Sequence, residues 1–310
     1  MADSSRVRYV PMAFDFGRAE RLARLCGAVH VASADLLDGT AWDGCPVRAF
    51  AGTGLGATSL AAVVDLGDRL GVAFRGTLLP SMGDLRAPIE DWMRNLDVRM
   101  EPFAATARTP AGTEAAALPL TGLVHGGFLR ELTAVLAPVE DALLALPRRS
   151  VTVTGHSQGG AIAVLCARAL EAAGWPVEDV YTFAAPRAGV AAAVGGGTVP
   201  VHRVEYGHDI VPHVPPMALT GFGAALLSKS ALLAARAEPW LERWAKLYGS
   251  PLPYAAAGTL WYAREGEGRF RSYEGEEEAR LARKRLRGLV GAGPALWRHH
   301  DLRNYLAALR

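Results

Sequence analysis

One stretch restricts this chain more than any other: Ser150-Val151-Thr152-Val153-Thr154-Gly155-His156-Ser157-Gln158-Gly159-Gly160-Ala161. Val151 and Val153 alternate with Thr152 and Thr154, the β-branched pattern of a buried strand. Gly155 and Gly159 then bracket Ser157, and Ala161 to Leu170 reads as a helix that stops at Gly174. Strand, sharp turn and helix form the setting of a G-x-S-x-G nucleophile elbow. Ser157 then sits at a strained tip, and the glycines let strand and helix approach closely. The helix N-terminus aims N–H groups and its positive dipole end at the serine oxygen. The pentapeptide alone also fits a phosphate-binding or merely connecting turn; the flanking strand and helix favour the nucleophile.

The rest of the chain supplies a setting for that turn. Its 310 residues are 50% hydrophobic, enough for one large α/β domain or two smaller ones. No repeat and no dividing linker appears, so one domain over 1–310 is expected. A net charge of +2 with mixed signs leaves no nucleic-acid footprint. Cys26, Cys45 and Cys166 lack disulfide-framework or metal-site spacing, although a Cys26–Cys45 bridge stays open. Residues 1–6 are polar without an apolar h-region, and no segment offers roughly 20 uncharged apolar residues. A cytoplasmic location is therefore expected.

Helical spacing predicts a helix over 14–34, and strands are expected at 47–50, 59–65 and 70–75. Residues 101–122, rich in Ala, Thr, Pro and Gly, should wander over the surface. A helix then runs to Leu146, and Pro138 should kink or split it. Strands at 180–184 and 202–206, separated by helical stretches, imply right-handed crossovers and a mostly parallel sheet with helices on both faces. In such sheets groups that act on ligands lie just past the carboxyl ends of strands, where Ser157 and Asp209 both fall. Segment 78–91 reads as either an amphipathic flap or a surface loop. Segment 217–248 reads as an apolar helical insertion, either packed on the domain or dipping into a lipid surface. A hairpin is expected around Gly266, then a helix with acids first and bases last. A last helix, or loop and helix, carries His299 and His300.

A serine hydroxyl needs a base, and the base needs an orienting partner. Ser157, then Asp209, then His299 or His300 gives the order nucleophile, acid, base. Six pieces carry a more specific signal. They are Val72-Ala73-Phe74-Arg75-Gly76-Thr77, Asp91-Trp92 with Asp97, Val124-His125-Gly126-Gly127-Phe128, the elbow itself, Thr182-Phe183-Ala184-Ala185-Pro186-Arg187-Ala188-Gly189, and His208-Asp209-Ile210-Val211-Pro212. In this order they resemble the class 3 lipase family of α/β-hydrolases. The likeness covers roughly residues 60–215, with a weaker match from His300 to Tyr305.

The resemblance implies an α/β-hydrolase fold and a serine carboxylic-ester hydrolase acting on lipid esters. Ser157 matches the family nucleophile, Asp209 the acid, and His300, five residues before Tyr305, the base. Thr77 matches the oxyanion-hole residue, and Gln158 supplies the second backbone N–H. Segment 78–91 corresponds to the lid. Position 158 is often Leu in the family; Gln keeps the N–H and adds a polar amide. His125, His156, His202, His208 and His213 read as structural, and Asp91 and Asp97 as surface or supporting groups. No metal or organic cofactor is implied. The implied partner is a lipid or small ester, with transient contact at a lipid interface; oligomeric state is left open. A phospholipase or acyltransferase with the same three residues, or a non-catalytic lipid binder, remains the alternative.

Overall fold

The structure, a computed structural model, describes residues 14–31, 33, 37–51, 60–77, 100–114, 118, 120–215, 254–289 and 291–310. The expected lid at 78–91, with Asp91 and Asp97, and the insertion at 217–248 lie outside the described residues. The strands in chain order are Ala41–Trp42 (β1), Cys45–Ala51 (β2), Leu60–Asp65 (β3), Leu70–Phe74 (β4), Met100–Pro102 (β5), Leu123–His125 (β6) and Val151–His156 (β7). They continue with Val177–Phe183 (β8), Gly189–Val190 (β9), Val201–Tyr206 (β10), Tyr254–Ala255 (β11), Thr259–Ala263 (β12) and Arg271–Tyr273 (β13). The helices are Phe16–Val31 (α1), Gly126–Leu144 (α2), Gln158–Ala172 (α3), Ala191–Val194 (α4), Gly275–Leu289 (α5), Ala295–Arg298 (α6) and Leu302–Leu309 (α7).

The main sheet runs β1-β2-β3-β4-β7-β8-β10-β12-β13, and a second small sheet runs β11-β9-β6-β5. Pairings from β4 through β12 are parallel. Pairings at both ends, β1–β2–β3–β4 and β12–β13, are antiparallel. The sheet is therefore mixed, which corrects the expectation of a mostly parallel one. Short turns such as Gly67-Asp68 close hairpins at the margins, whereas α2 and α3 supply the crossovers from β4 to β7 and from β7 to β8.

Successive side chains point to opposite faces, so the sheet builds two cores. Val63, Val72, Phe74 and Val153 face α2 and α3. Ala62, Val64, Ala73 and Phe183 face α1 and α7. Strand β4 is buried along its whole length, which accounts for its weak alternation. α2 continues through Pro138 without splitting. Leu132, Val135, Leu136 and Val139, on both sides of the proline, bury into the same core. That burial offsets the roughly 3 kcal/mol a proline costs inside a helix.

Residues 101–122 also depart from expectation. Phe103 and Ala107 are buried, β5 pairs with β6, and the Trp175 indole donates to the Arg108 carbonyl at 2.6 Å. Two apolar anchors and one strand pairing tie down a segment whose composition reads as loop. All three cysteines are free, which closes the question of a Cys26–Cys45 bridge. Burial pushes the Cys26 thiol up to about 12, so it behaves as a small core residue.

A buried ion cluster ties α5 to β10. Glu205 accepts from both Arg203 and Arg285, and Arg203 also reaches Glu278. The Arg285 guanidinium lies 4.4 Å from the centre of the Tyr262 ring. Burial by itself would raise the Glu205 carboxyl, but Arg285 and Arg203 more than offset it and hold it well below the usual range. Because the folded value is depressed, this stabilisation is complete above about pH 4.3, the unfolded value. It is lost as pH falls through the folded value. Glu205→Ala, which strands the buried Arg285 guanidinium and leaves Arg203 with Glu278 as its carboxylate partner, is expected to cost about 3–5 kcal/mol. Urea unfolding at neutral pH measures this, and a loss below about 1 kcal/mol would deny the cluster a stabilising role.

Candidate active site

Parallel pairing sets the geometry. β4, β7 and β10 run the same way, so Thr77, Ser157 and Asp209, each just past a carboxyl end, arrive at one edge of the sheet. His300 comes from the far end of the chain, in the break between α6 and α7. Asp301 makes that break by capping α7, its carboxylate accepting from the Arg303 N–H at 2.9 Å.

Ser157 has φ 58° and ψ −132°, a conformation costly for a residue with a Cβ. The Ser157 N–H donates to the Phe183 carbonyl at 2.8 Å, and its carbonyl accepts from the Gly160 N–H at 2.9 Å. Strand and helix nearly touch behind it. A Cβ on Gly155 would lie 2.2 Å from the Gly159 carbonyl carbon, and one on Gly159 would lie 2.2 Å from the Phe74 carbonyl oxygen. The second approach presses the end of β4 against the elbow. Beside it the Thr77 hydroxyl donates to Oε1 of Gln158.

The Ser157 hydroxyl lies 2.8 Å from His300 Nε2. His300 Nδ1 lies 2.9 Å from Asp209 Oδ2 and 3.1 Å from Oδ1. With Nδ1–H donating to the carboxylate, Nε2 is left to accept the serine proton. Asp209 is 0% exposed and His300 3%, so water competes little for these bonds. The carboxylate is held on all sides: Oδ1 accepts from the Val211 N–H at 2.9 Å, and Oδ2 from the Tyr305 hydroxyl at 2.7 Å. Tyr305 in turn accepts from the Tyr206 N–H at 3.2 Å. Burial, and then the Asp209 charge, push the Tyr305 phenol well above its ordinary value, so it stays a donor.

His299 faces elsewhere. Its Nδ1 accepts from the His208 N–H at 2.8 Å, and its Nε2 lies 3.2 Å from Glu265. His125 caps α2, accepting from the Phe128 N–H at 3.3 Å. His156 does more than its reading as a structural histidine suggests. Its Nε2 lies 3.0 Å from the His300 carbonyl, and the two rings are 4.8 Å apart. Burial, then the neighbouring His300 and His30, keep His156 well below its ordinary pKa and neutral. A neutral ring with Nε2–H can donate to that carbonyl and hold the main chain of residue 300. His30, on α1, packs 6.4 Å from His156 and has no counterpart among the sequence expectations. A histidine inside an elbow motif looks the same in sequence whether it packs or orients, so spacing alone could not separate these roles.

A deeply seated serine, imidazole and carboxylate in one hydrogen-bonded line, on a mixed sheet flanked by helices, define an α/β-hydrolase class of site. Comparison with known proteins places the chain within that class. Residues 72–219 match the family model Lipase (class 3). A secreted mono- and diacylglycerol lipase of Fusarium solani is 40% identical over 101 residues, 30% of this chain and 30% of the relative. A lipase of Rhizomucor miehei is 39% identical over 112 residues, 32% of this chain and 31% of the relative. The match thus spans under a third of either relative's length. The fold reaches further: an MDLA variant structure from Penicillium cyclopium superposes with TM-score 0.57 at 17% identity, over 94% of this chain and 96% of that one. Residues 72–219, just under half of the chain, thus carry the likeness to class 3 lipases, and the fold likeness extends over nearly all of it.

The family match also corrects the expected cytoplasmic location. The Fusarium relative and its Penicillium counterparts are named as secreted lipases. A polar N-terminal stretch does not outweigh that finding.

Two changes test the supports of the site. Gly155→Ala forces a Cβ into the Gly159 backbone and is expected to destabilise by about 3 kcal/mol or more. A thermal unfolding midpoint equal to the parent's would show that the strand and helix can separate freely. Tyr305→Phe, which removes one donor to a buried carboxylate, should lower kcat for a soluble ester by roughly tenfold. Unchanged kcat would mean that the Val211 N–H and His300 suffice to hold Asp209.

Proposed function

We propose that the protein is a serine carboxylic-ester hydrolase that acts on lipid esters through an acyl-enzyme. The observation that carries this reading is the buried Ser157–His300–Asp209 line, with spacings of 2.8 and 2.9 Å. The match of residues 72–219 to the class 3 lipase model supports the ester chemistry, and the relatives' names, lipase and mono- and diacylglycerol lipase, support a glyceride-like substrate.

In this mechanism His300 removes the Ser157 proton as the hydroxyl oxygen attacks the ester carbonyl. Asp209 keeps the imidazole in the Nδ1–H tautomer and stabilises its positive form. The backbone N–H groups of Thr77 and Gln158, with the Thr77 hydroxyl, hold the oxyanion. The imidazolium then protonates the leaving alcohol. Water, deprotonated by His300, attacks the acyl-enzyme and releases the acid. Segments 78–91 and 217–248 are proposed as the lid and as the wall of the acyl pocket.

Ser157→Ala is expected to abolish p-nitrophenyl ester turnover and labelling by a fluorophosphonate. His300→Ala should cost as much, and Asp209→Asn about 10⁴-fold in kcat. Thr77→Val should cost about 10²-fold. His299→Ala should leave kcat within about threefold. Labelling that persists in Ser157→Ala would put the nucleophile elsewhere. Product analysis with water and alcohol as competing acceptors separates hydrolysis from acyl transfer.

A further inference from the structure

The Thr77 hydroxyl carries one proton, and in this structure that proton goes to the Gln158 side-chain oxygen. A hydroxyl so committed cannot also donate to an oxyanion. The partner is itself buried, at 8% exposure, on the first residue of α3 and directly after Ser157. Its backbone is therefore fixed by the elbow, and only its side chain is adjustable.

We propose that Gln158 is a positioning residue that sets the Thr77 hydroxyl through its side-chain amide, in addition to presenting its backbone N–H. The proposal rests on the serine-hydrolase reading of the site. The carbonyl and amino ends of a glutamine amide are nearly equal in size, so a half-turn about its last bond costs little packing. In one orientation Oε1 accepts from Thr77 and the hydroxyl is parked. In the other, Nε2–H donates to Thr77 Oγ1, which turns its own proton toward the reacting carbonyl. The second arrangement is a chain of two hydrogen bonds in one direction, each polarising the next. It presents a hydroxyl donor already oriented, so less reorganisation remains as charge develops on the substrate. Leucine or methionine at position 158 keeps the backbone N–H but can neither park nor aim the hydroxyl.

The test is a double-mutant cycle between positions 158 and 77, read on a soluble short-chain p-nitrophenyl ester with the full chain. Gln158→Leu is expected to lower kcat about tenfold, less than the roughly hundredfold of losing an oxyanion donor, with KM within about twofold. In a Thr77→Val background the same change should lower kcat by less than about twofold, because the hydroxyl it acts through is gone. Gln158→Met, closer in length, repeats the measurement if the leucine variant is recovered insoluble. A loss of the same size in both backgrounds, or no loss in the parent, overturns the proposal. Stoichiometric fluorophosphonate labelling of Ser157 in every variant shows that the nucleophile is intact, so either result then counts against the role of Gln158 alone. Absence of labelling in the parent protein overturns both that role and the serine-hydrolase reading.

Discussion

The structure depends on how closely β7 and α3 can approach. A reversal from strand to helix across one residue leaves no space for side chains in its interior. Gly155 and Gly159 meet that condition, with backbone atoms where a methyl group would otherwise sit. The result is a serine whose side chain stands clear of both elements. Its hydroxyl can then be met by a group from a distant element, His300, rather than by its own helix. The conformational cost at Ser157 is local; the burial of β7 and α3 that holds it in place extends through an entire core.

Once the elbow is made, parallel pairing does most of the remaining assembly. It delivers Thr77, Ser157 and Asp209 to the same edge by topology alone. His300 is different, because no neighbouring strand carries it. His300 is placed by three independent devices: the capped start of α7, the packing of α7 against α1, and the reach of His156 to its carbonyl. Asp209 is held likewise by Val211, Tyr305 and His300 together. Each functional group has its rotamer set by a partner in a different element, which is how a site gains rigidity without covalent links.

The polar surroundings divide by task. The Arg203–Glu205–Arg285 cluster pairs charge with charge and braces α5 against the sheet. The Thr77–Gln158 pair stays adjustable, since an amide can donate or accept at one place.

Much was legible in the chain itself. The elbow, the strand ends bearing Thr77 and Asp209, and the terminal pair His299-His300 are local patterns, because φ/ψ preferences and side-chain periods act over a few residues. Beyond the hairpin around Gly266, the mixed character of the sheet was not legible, since parallel and antiparallel strands read alike when both faces are covered. Nor was the anchoring of 101–122, where Phe103 and Ala107 outweigh a loop-like composition. The unbroken run of α2 through Pro138 likewise rests on contacts made by distant residues. The sequence by itself determined which groups could do chemistry and which backbone turn would present the serine. Only the tertiary structure decided that His300 rather than His299 meets Ser157, that His156 grips the His300 main chain, and that Gln158 holds Thr77. Those are meetings of residues 81 to 144 positions apart. Such meetings are selected by the packing of whole elements, and no local preference encodes them.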